Sequence, residues 1–224
     1  MKKIGLIGCG NIAETYFRSQ DYFNNIKFIA CADKYPEAAK KCADQYGIQV
    51  LSVDEILVDS NIDIILNLTI PQAHYEVSKQ ALEAGKHVYS EKPMSIKFDE
   101  ANHLLEIAKK NNLYFGNAPD TFLGGGGQTA RQLIDEGEIG QILTGNFIFA
   151  FPGVQEFHPN PESWFQEGGG PAIDMGPYFF TTLVNLLGPA INVRARGKKF
   201  FDKREYLAGP KKGKFFDIEI STSV

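Results

Sequence analysis

Two short stretches of this chain carry residue types that can do chemistry. The first is Gly8-Cys9-Gly10-Asn11-Ile12-Ala13, directly after an apolar run containing Ile4, Leu6 and Ile7. A glycine at 8 allows a tight turn, and a glycine at 10 has no Cβ to block a pyrophosphate. A helix starting near Asn11 would point its first amides at the same anion. Ala13 stands where a third small residue lets helix and strand pack closely. The second stretch is Glu91-Lys92-Pro93, after segment 86–90, which reads as a strand. A lysine at the carboxyl end of a parallel strand lies in the crevice where such sheets bind ligands. Its ammonium can hold a hydroxyl and stabilise alkoxide charge as a hydride departs. The blander readings are an ordinary strand-turn-helix and a surface lysine paired with Glu91.

Asp33 adds to the first stretch. It ends the apolar segment Ile26–Ala32, about 20 residues past the glycines, where a carboxylate can accept hydrogen bonds from an adenosine ribose. A carboxylate there repels a 2′-phosphate, which favours NAD over NADP. Lys34 beside it works the other way, so NADP stays possible. Asp33 can also serve as the N-cap of a helix over Pro36–Tyr46.

These residues need elements to hold them. Segments 62–68, 86–90 and 113–116 read as further strands. Helical patterns cover Pro36–Tyr46, Val53–Val58, 72–84 and 98–111, and Gly85 is a helix-ending C′ residue. Alternation of strand and helix predicts a doubly wound parallel α/β sheet over 1–118. The character changes at Ala118-Pro119. Residues 119–224 read as an α+β domain with an open mixed sheet. Helices are expected at 128–136 and 176–187, and strands at 142–151, 192–201 and 215–224. Segment 157–170 reads as an irregular loop, and 202–214 as a charged, solvated one.

Composition excludes several classes. A hydrophobic fraction of 43% and a charged fraction of 22% are those of a globular protein. A net charge of −4 offers no basic footprint for nucleic acid. No apolar run approaches a membrane span, and Gly8, Gly10 and Asn11 interrupt the N-terminal run, so no membrane or signal segment is expected. Cys9, Cys31 and Cys42 show no C-x-x-C spacing and read as reduced thiols of a cytoplasmic protein. The four histidines show no ligand spacing, and no metal is expected.

Five segments in order resemble one family. They are Gly8 to Ala13; Thr69-Ile70-Pro71-Gln72-Ala73-His74; Ala84-Gly85-Lys86-His87-Val88-Tyr89-Ser90-Glu91-Lys92-Pro93; Gly168-Gly169-Gly170; and Asp174-Met175-Gly176-Pro177-Tyr178. Over the whole chain this resembles the glucose–fructose oxidoreductase, inositol dehydrogenase and rhizopine catabolism (Gfo/Idh/MocA) family of NAD(P)-dependent oxidoreductases. The resemblance implies a Rossmann domain over 1–118 and a substrate-binding and oligomerisation domain over 119–224. It implies that Lys92 sits between nicotinamide and substrate. It places Gly8, Cys9, Gly10, Asn11, Ile12, Asp33, Lys34, Thr69, Ile70, His74, Glu91 and Lys92 around the dinucleotide. Asn117, after the last strand, is a further candidate for the nicotinamide side. For His74 a structural role at the helix start is an equal alternative.

The family's second-domain motif is usually Asp-x-Gly-x-His, acting on the substrate. Here Asp174 matches, and Tyr178 replaces the histidine. Four residues apart on one helix, both can face one substrate. A phenol is a poor base at neutral pH, so the proton falls to Lys92 or Asp174, with Tyr178 orienting. Asp174 can instead act only as a helix cap. His158 and Trp164 are candidate sugar contacts. The expected activity is hydride transfer between NAD(P) and a secondary alcohol of a sugar, inositol or related polyol. The alternative is a dinucleotide-binding sensor or regulator without turnover. Members of the family normally run well past a segment like 219–224, so the second domain reads as incomplete. Phe216, Ile218 and Ile220 would then share an uncovered face, and homo-oligomerisation through that sheet is expected.

Overall fold

The computed structural model describes residues 1–158 and 160–220. It divides into two compact units, Met1–Ala118 and Pro119–Val224. The first holds six strands: β1 (Lys2–Ile7), β2 (Ile26–Ala32), β3 (Gln49–Val50), β4 (Ile64–Asn67), β5 (His87–Ser90) and β6 (Phe115–Asn117). All pairings are parallel, in the order β3-β2-β1-β4-β5-β6. The helices between them are α1 (Ala13–Ser19), α2 (Pro36–Tyr46), α3 (Val53–Val58), α4 (Pro71–Glu83) and α5 (Phe98–Lys110). Strand order reverses between β1 and β4. At such a reversal the crevice beyond the carboxyl ends of the strands is where a ligand fits.

The apolar runs form strands because both faces of the sheet are covered. Ile4 and Leu6 join a core with Phe17, Phe28, Cys42 and Leu66 under α1 and α2. Ile7, one residue out of phase, joins Ile56, Ile65, Leu82 and Leu104 under α3, α4 and α5. Each fully buried side chain of this size contributes about 1.5–3 kcal/mol. Local signals end the helices where the chain must turn. Gly47 (φ 66°) closes α2, and a reciprocal Ser52–Glu55 capping box opens α3. Buried Asn67 ties β4 to α4. Its amide donates to the His74 carbonyl (3.0 Å) and Ser78 Oγ (2.9 Å). Its Oδ1 accepts from the Thr69 amide (3.2 Å) and hydroxyl (2.7 Å).

The second unit contains α6 (Gly125–Asp135), α7 (Gly176–Leu187) and a two-stranded antiparallel sheet of β7 (Lys203–Glu205) and β8 (Phe215–Asp217). Arg131 of α6 donates to the carbonyls of Asn185 and Leu186, at 2.9 and 3.0 Å, and so closes the end of α7.

Here the sequence reading needs correction. Segments 142–151 and 192–201 alternate in hydrophobicity but are not strands; apart from one isolated bridge residue they are irregular. Alternation supplies a pattern, not a ladder, and a strand exists only if a neighbour accepts its backbone bonds. Instead β7 forms inside the segment read as a charged loop. The strand expected over 215–224 pairs only to Asp217, and its residues 221–224 lie outside the described residues, as does Pro159 of the 157–170 loop. Phe216 and Ile218 are not bare either: they are buried with Phe165 and Tyr206 in a small core of this unit.

Candidate functional site

The glycine turn is built by backbone demands. Gly8 has φ +102°, and a Cβ there would lie 2.6 Å from the Leu68 carbonyl and 2.8 Å from the Thr69 nitrogen. That close approach admits only glycine. Gly10 is different: a Cβ built on it meets nothing within 4 Å. The turn therefore leaves open space above its second glycine, which is the room a pyrophosphate requires. α1 begins at Ala13, with Ile12 in the N-cap position, slightly later than its sequence suggests.

Asp33 closes the other side of the turn. Its Oδ2 accepts from the Cys9 amide at 2.7 Å, and its Oδ1 from the Tyr35 amide at 2.8 Å. Tyr35, not Asp33, occupies the N-cap position of α2, so the capping reading is replaced. Lys34 lies with its ammonium 4.8 Å from the centre of the Tyr35 ring. Ile70, at the start of α4, exposes 57% of its surface.

The Glu91-Lys92-Pro93 turn follows β5 and is held from several sides. Asn117 on β6 donates to the carbonyls of Ser90 and Glu91, both at 3.0 Å. The carboxylate of Glu91 accepts from Tyr16 Oη at 2.8 Å and from the Lys92 amide at 3.0 Å. His74 is buried, with Nδ1 2.6 Å from the Pro93 carbonyl and Nε2 2.9 Å from the Thr69 carbonyl. Its ring thus links the turns after β4 and β5. Both ring nitrogens of His74 and the amide nitrogen of Asn117 thus meet backbone carbonyls that shape the crevice wall, in line with the structural alternative for His74. Sequence could not show this, because which carbonyl lies within reach is a tertiary fact. Lys92 itself is half-buried.

In the second unit, Asp174 sits in a π turn, Pro171–Met175, immediately before α7, which carries Tyr178. The two residues therefore do not share one regular helix, as their spacing suggested. Asp174 Oδ2 accepts from Trp164 Nε1 at 2.8 Å. Trp164 packs edge-on against Phe151 and Phe165. So Trp164 orients the carboxylate of Asp174 through a hydrogen bond and is itself held by aromatic packing. Gly169 explains the middle of the three-glycine run, since a Cβ there would lie 2.5 Å from the Trp164 carbonyl oxygen. The His158 imidazole accepts from the Asn160 amide at 3.1 Å.

One constellation was not legible. The three cysteines, read as reduced thiols without a shared motif, converge. Their sulfurs all lie within 4.8 Å of one another, with Cys31 and Cys42 buried and Cys9 partly exposed. Cys42 shares the inward face of α2 with Ala39 and Ala43. That face packs on β2, and only topology joins these to the turn after β1.

Comparison with known proteins fits this geometry. Residues 2–118 match the oxidoreductase family with an NAD-binding Rossmann fold (GFO_IDH_MocA), and residues 128–219 match the GFO/IDH/MocA C-terminal domain. An uncharacterized oxidoreductase of Schizosaccharomyces pombe is 33% identical over 149 residues, covering 64% of this chain and 39% of that protein. The inositol 2-dehydrogenase of Rhizobium meliloti is 25% identical over 206 residues, covering 90% of this chain and 60% of that enzyme. The chain thus spans about 40–60% of the length of these two relatives. Among solved structures, KijD10, a 3-ketoreductase from Actinomadura kijaniata in complex with NADP and TDP-benzene, superposes with a TM-score of 0.73 at 25% identity, covering 84% of this chain and 57% of that one. The glycine turn, the strand order and the matches over both units make this chain a member of the Gfo/Idh/MocA oxidoreductase family, with residues 2–118 as its NAD-binding Rossmann domain.

Proposed function

We propose that the protein is an NAD(P)-dependent dehydrogenase that transfers a hydride between nicotinamide and a secondary alcohol carbon of a sugar, inositol or related polyol. The observation that carries this reading is Lys92, at the carboxyl end of β5 in a turn held by Asn117, Glu91 and His74. A site that must hold one ammonium against a reacting oxygen benefits from such fixed support. The bound dinucleotide supplies the hydride acceptor or donor. The residues fit that group: the open space over Gly10 suits the pyrophosphate, and Asp33, directly after β2, suits the ribose. Lys92 Nζ binds the substrate oxygen and stabilises its negative charge as the hydride moves. Asp174, oriented by Trp164, accepts hydrogen bonds from substrate hydroxyls, and Tyr178 and His158 are further contacts. The names of relatives such as inositol 2-dehydrogenase and D-xylose dehydrogenase support this substrate class.

The test is a panel of polyols and sugars mixed with NAD⁺ or NADP⁺, read by the absorbance of the reduced nicotinamide. Turnover with at least one polyol is expected. Tight NADH binding with no turnover on the whole panel would overturn the enzymatic reading and leave a dinucleotide-binding sensor. Tyr178 in the family's histidine position keeps that second reading specific.

A further inference from the structure

We propose that Cys9, Cys31 and Cys42 form a three-sulfur site for a soft thiophilic cation, with monovalent copper as the ion whose coordination it fits. The sulfurs come from three different places: the glycine turn, β2 and α2. They all lie within 4.8 Å of one another. A metal–thiolate bond of about 2.3 Å sets trigonal sulfurs about 4.0 Å apart, so small side-chain rotations close the site. Buried cysteines usually behave as small hydrophobes in separate places. Here they contact each other and not only carbon.

In the metal-free chain the Cys9 thiol donates to the Ala32 carbonyl at 3.6 Å and the Cys31 thiol to the Ala39 carbonyl at 3.4 Å, and a cation at the centre of the cluster replaces these protons. Each thiol that was protonated releases its proton to solvent on binding.

Access is present. Cys9 and Cys42 line an open cavity of about 450 Å³ between α1 and α2, whose wall also carries Gly10, Glu14 and Lys41. The coordination number selects the ion. Zinc in structural sites takes four ligands, and among the described residues this cluster supplies three. No carboxylate joins this group among the described residues, and Asp33, two residues past Cys31, has its oxygens on the Cys9 and Tyr35 amides. Three thiolates with no hard ligand suit Cu(I).

The experiment titrates the reduced full chain with Cu(I) under anaerobic conditions, against a chromophoric Cu(I) chelator. X-ray absorption of the product then counts sulfur neighbours. One copper per chain with three sulfurs is expected. Losing even an outer hydrogen-bonding partner of a ligand costs about 10–100-fold in metal affinity. Cys42→Ser and Cys9→Ser should therefore each weaken binding by at least about 100-fold. Cys9 is partly exposed, so Cys9→Ser carries the test if Cys42→Ser fails to fold. Failure to compete with the chelator overturns the proposal. So does a two-sulfur environment, or an affinity unchanged in a folded variant.

Discussion

Asp33 shows how much one carboxylate decides. It fixes the glycine turn through the Cys9 amide and stands at the carboxyl end of β2. Its negative charge is expected to make NADH bind more tightly than NADPH, and Asp33→Ser should narrow that gap. A fluorescence titration checks both, and NADPH binding at least as tight as NADH in the native chain would remove Asp33 from that role. The two glycines of the turn separate fold from ligand. Gly8→Ala drives a Cβ into the backbone at Leu68 and should lower the melting temperature. Gly10→Ala has room in the free protein. It should leave melting nearly unchanged and weaken NADH binding, both read in one thermal-shift series with and without NADH. At this scale the glycine turn was legible, because its glycines directly follow an apolar run. The bonds of His74 and Asn117 to backbone carbonyls were not legible, because no sequence spacing reveals which carbonyl lies within reach.

At the scale of elements, the first unit was readable because its strands are buried on both faces. Continuous apolar runs such as Ile26–Ala32 and 62–68 have few alternatives when helical segments separate them. The two-residue β3 was missed, being too short to show a period. In the second unit the alternating segments form no strand among the described residues, and short charged β7 pairs with β8 instead. Two tests belong here. Ser52→Ala removes the capping box of α3 and should cost about 1 kcal/mol, measured by urea unfolding. Asp63 joins the start of β1 to the approach to β4, accepting from the Lys3 amide at 2.8 Å and the Lys2 ammonium at 2.9 Å. The Lys3 amide, then Lys2, holds its carboxyl below the usual range. A depressed folded pKa gives stability that is present above the ordinary aspartate value and lost as pH falls through the depressed one. Unfolding midpoints in acid should therefore fall less steeply in Asp63→Asn than in the native chain. Parallel curves would deny Asp63 that part.

For the whole molecule, the second unit exposes apolar side chains outside regular structure. Leu143, Ile148 and Ile191 are 86%, 87% and 93% exposed. With Phe216 and Ile218 buried internally, these residues rather than β8 are expected to drive self-association. Light scattering behind size exclusion should show a species larger than the monomer, and a sharp monomer stable on dilution would contradict it. No helix among the described residues is long and apolar enough to cross a membrane. Lys92 is the residue on which the proposed activity turns. The decisive measurement compares native chain and Lys92→Met at saturating NAD⁺ and the best polyol from the panel, following NADH formation. Loss of a charge-stabilising contact made in the transition state should lower kcat by about 10²–10³, with NADH affinity within a few-fold of native. Turnover by Lys92→Met at the native rate would contradict the account.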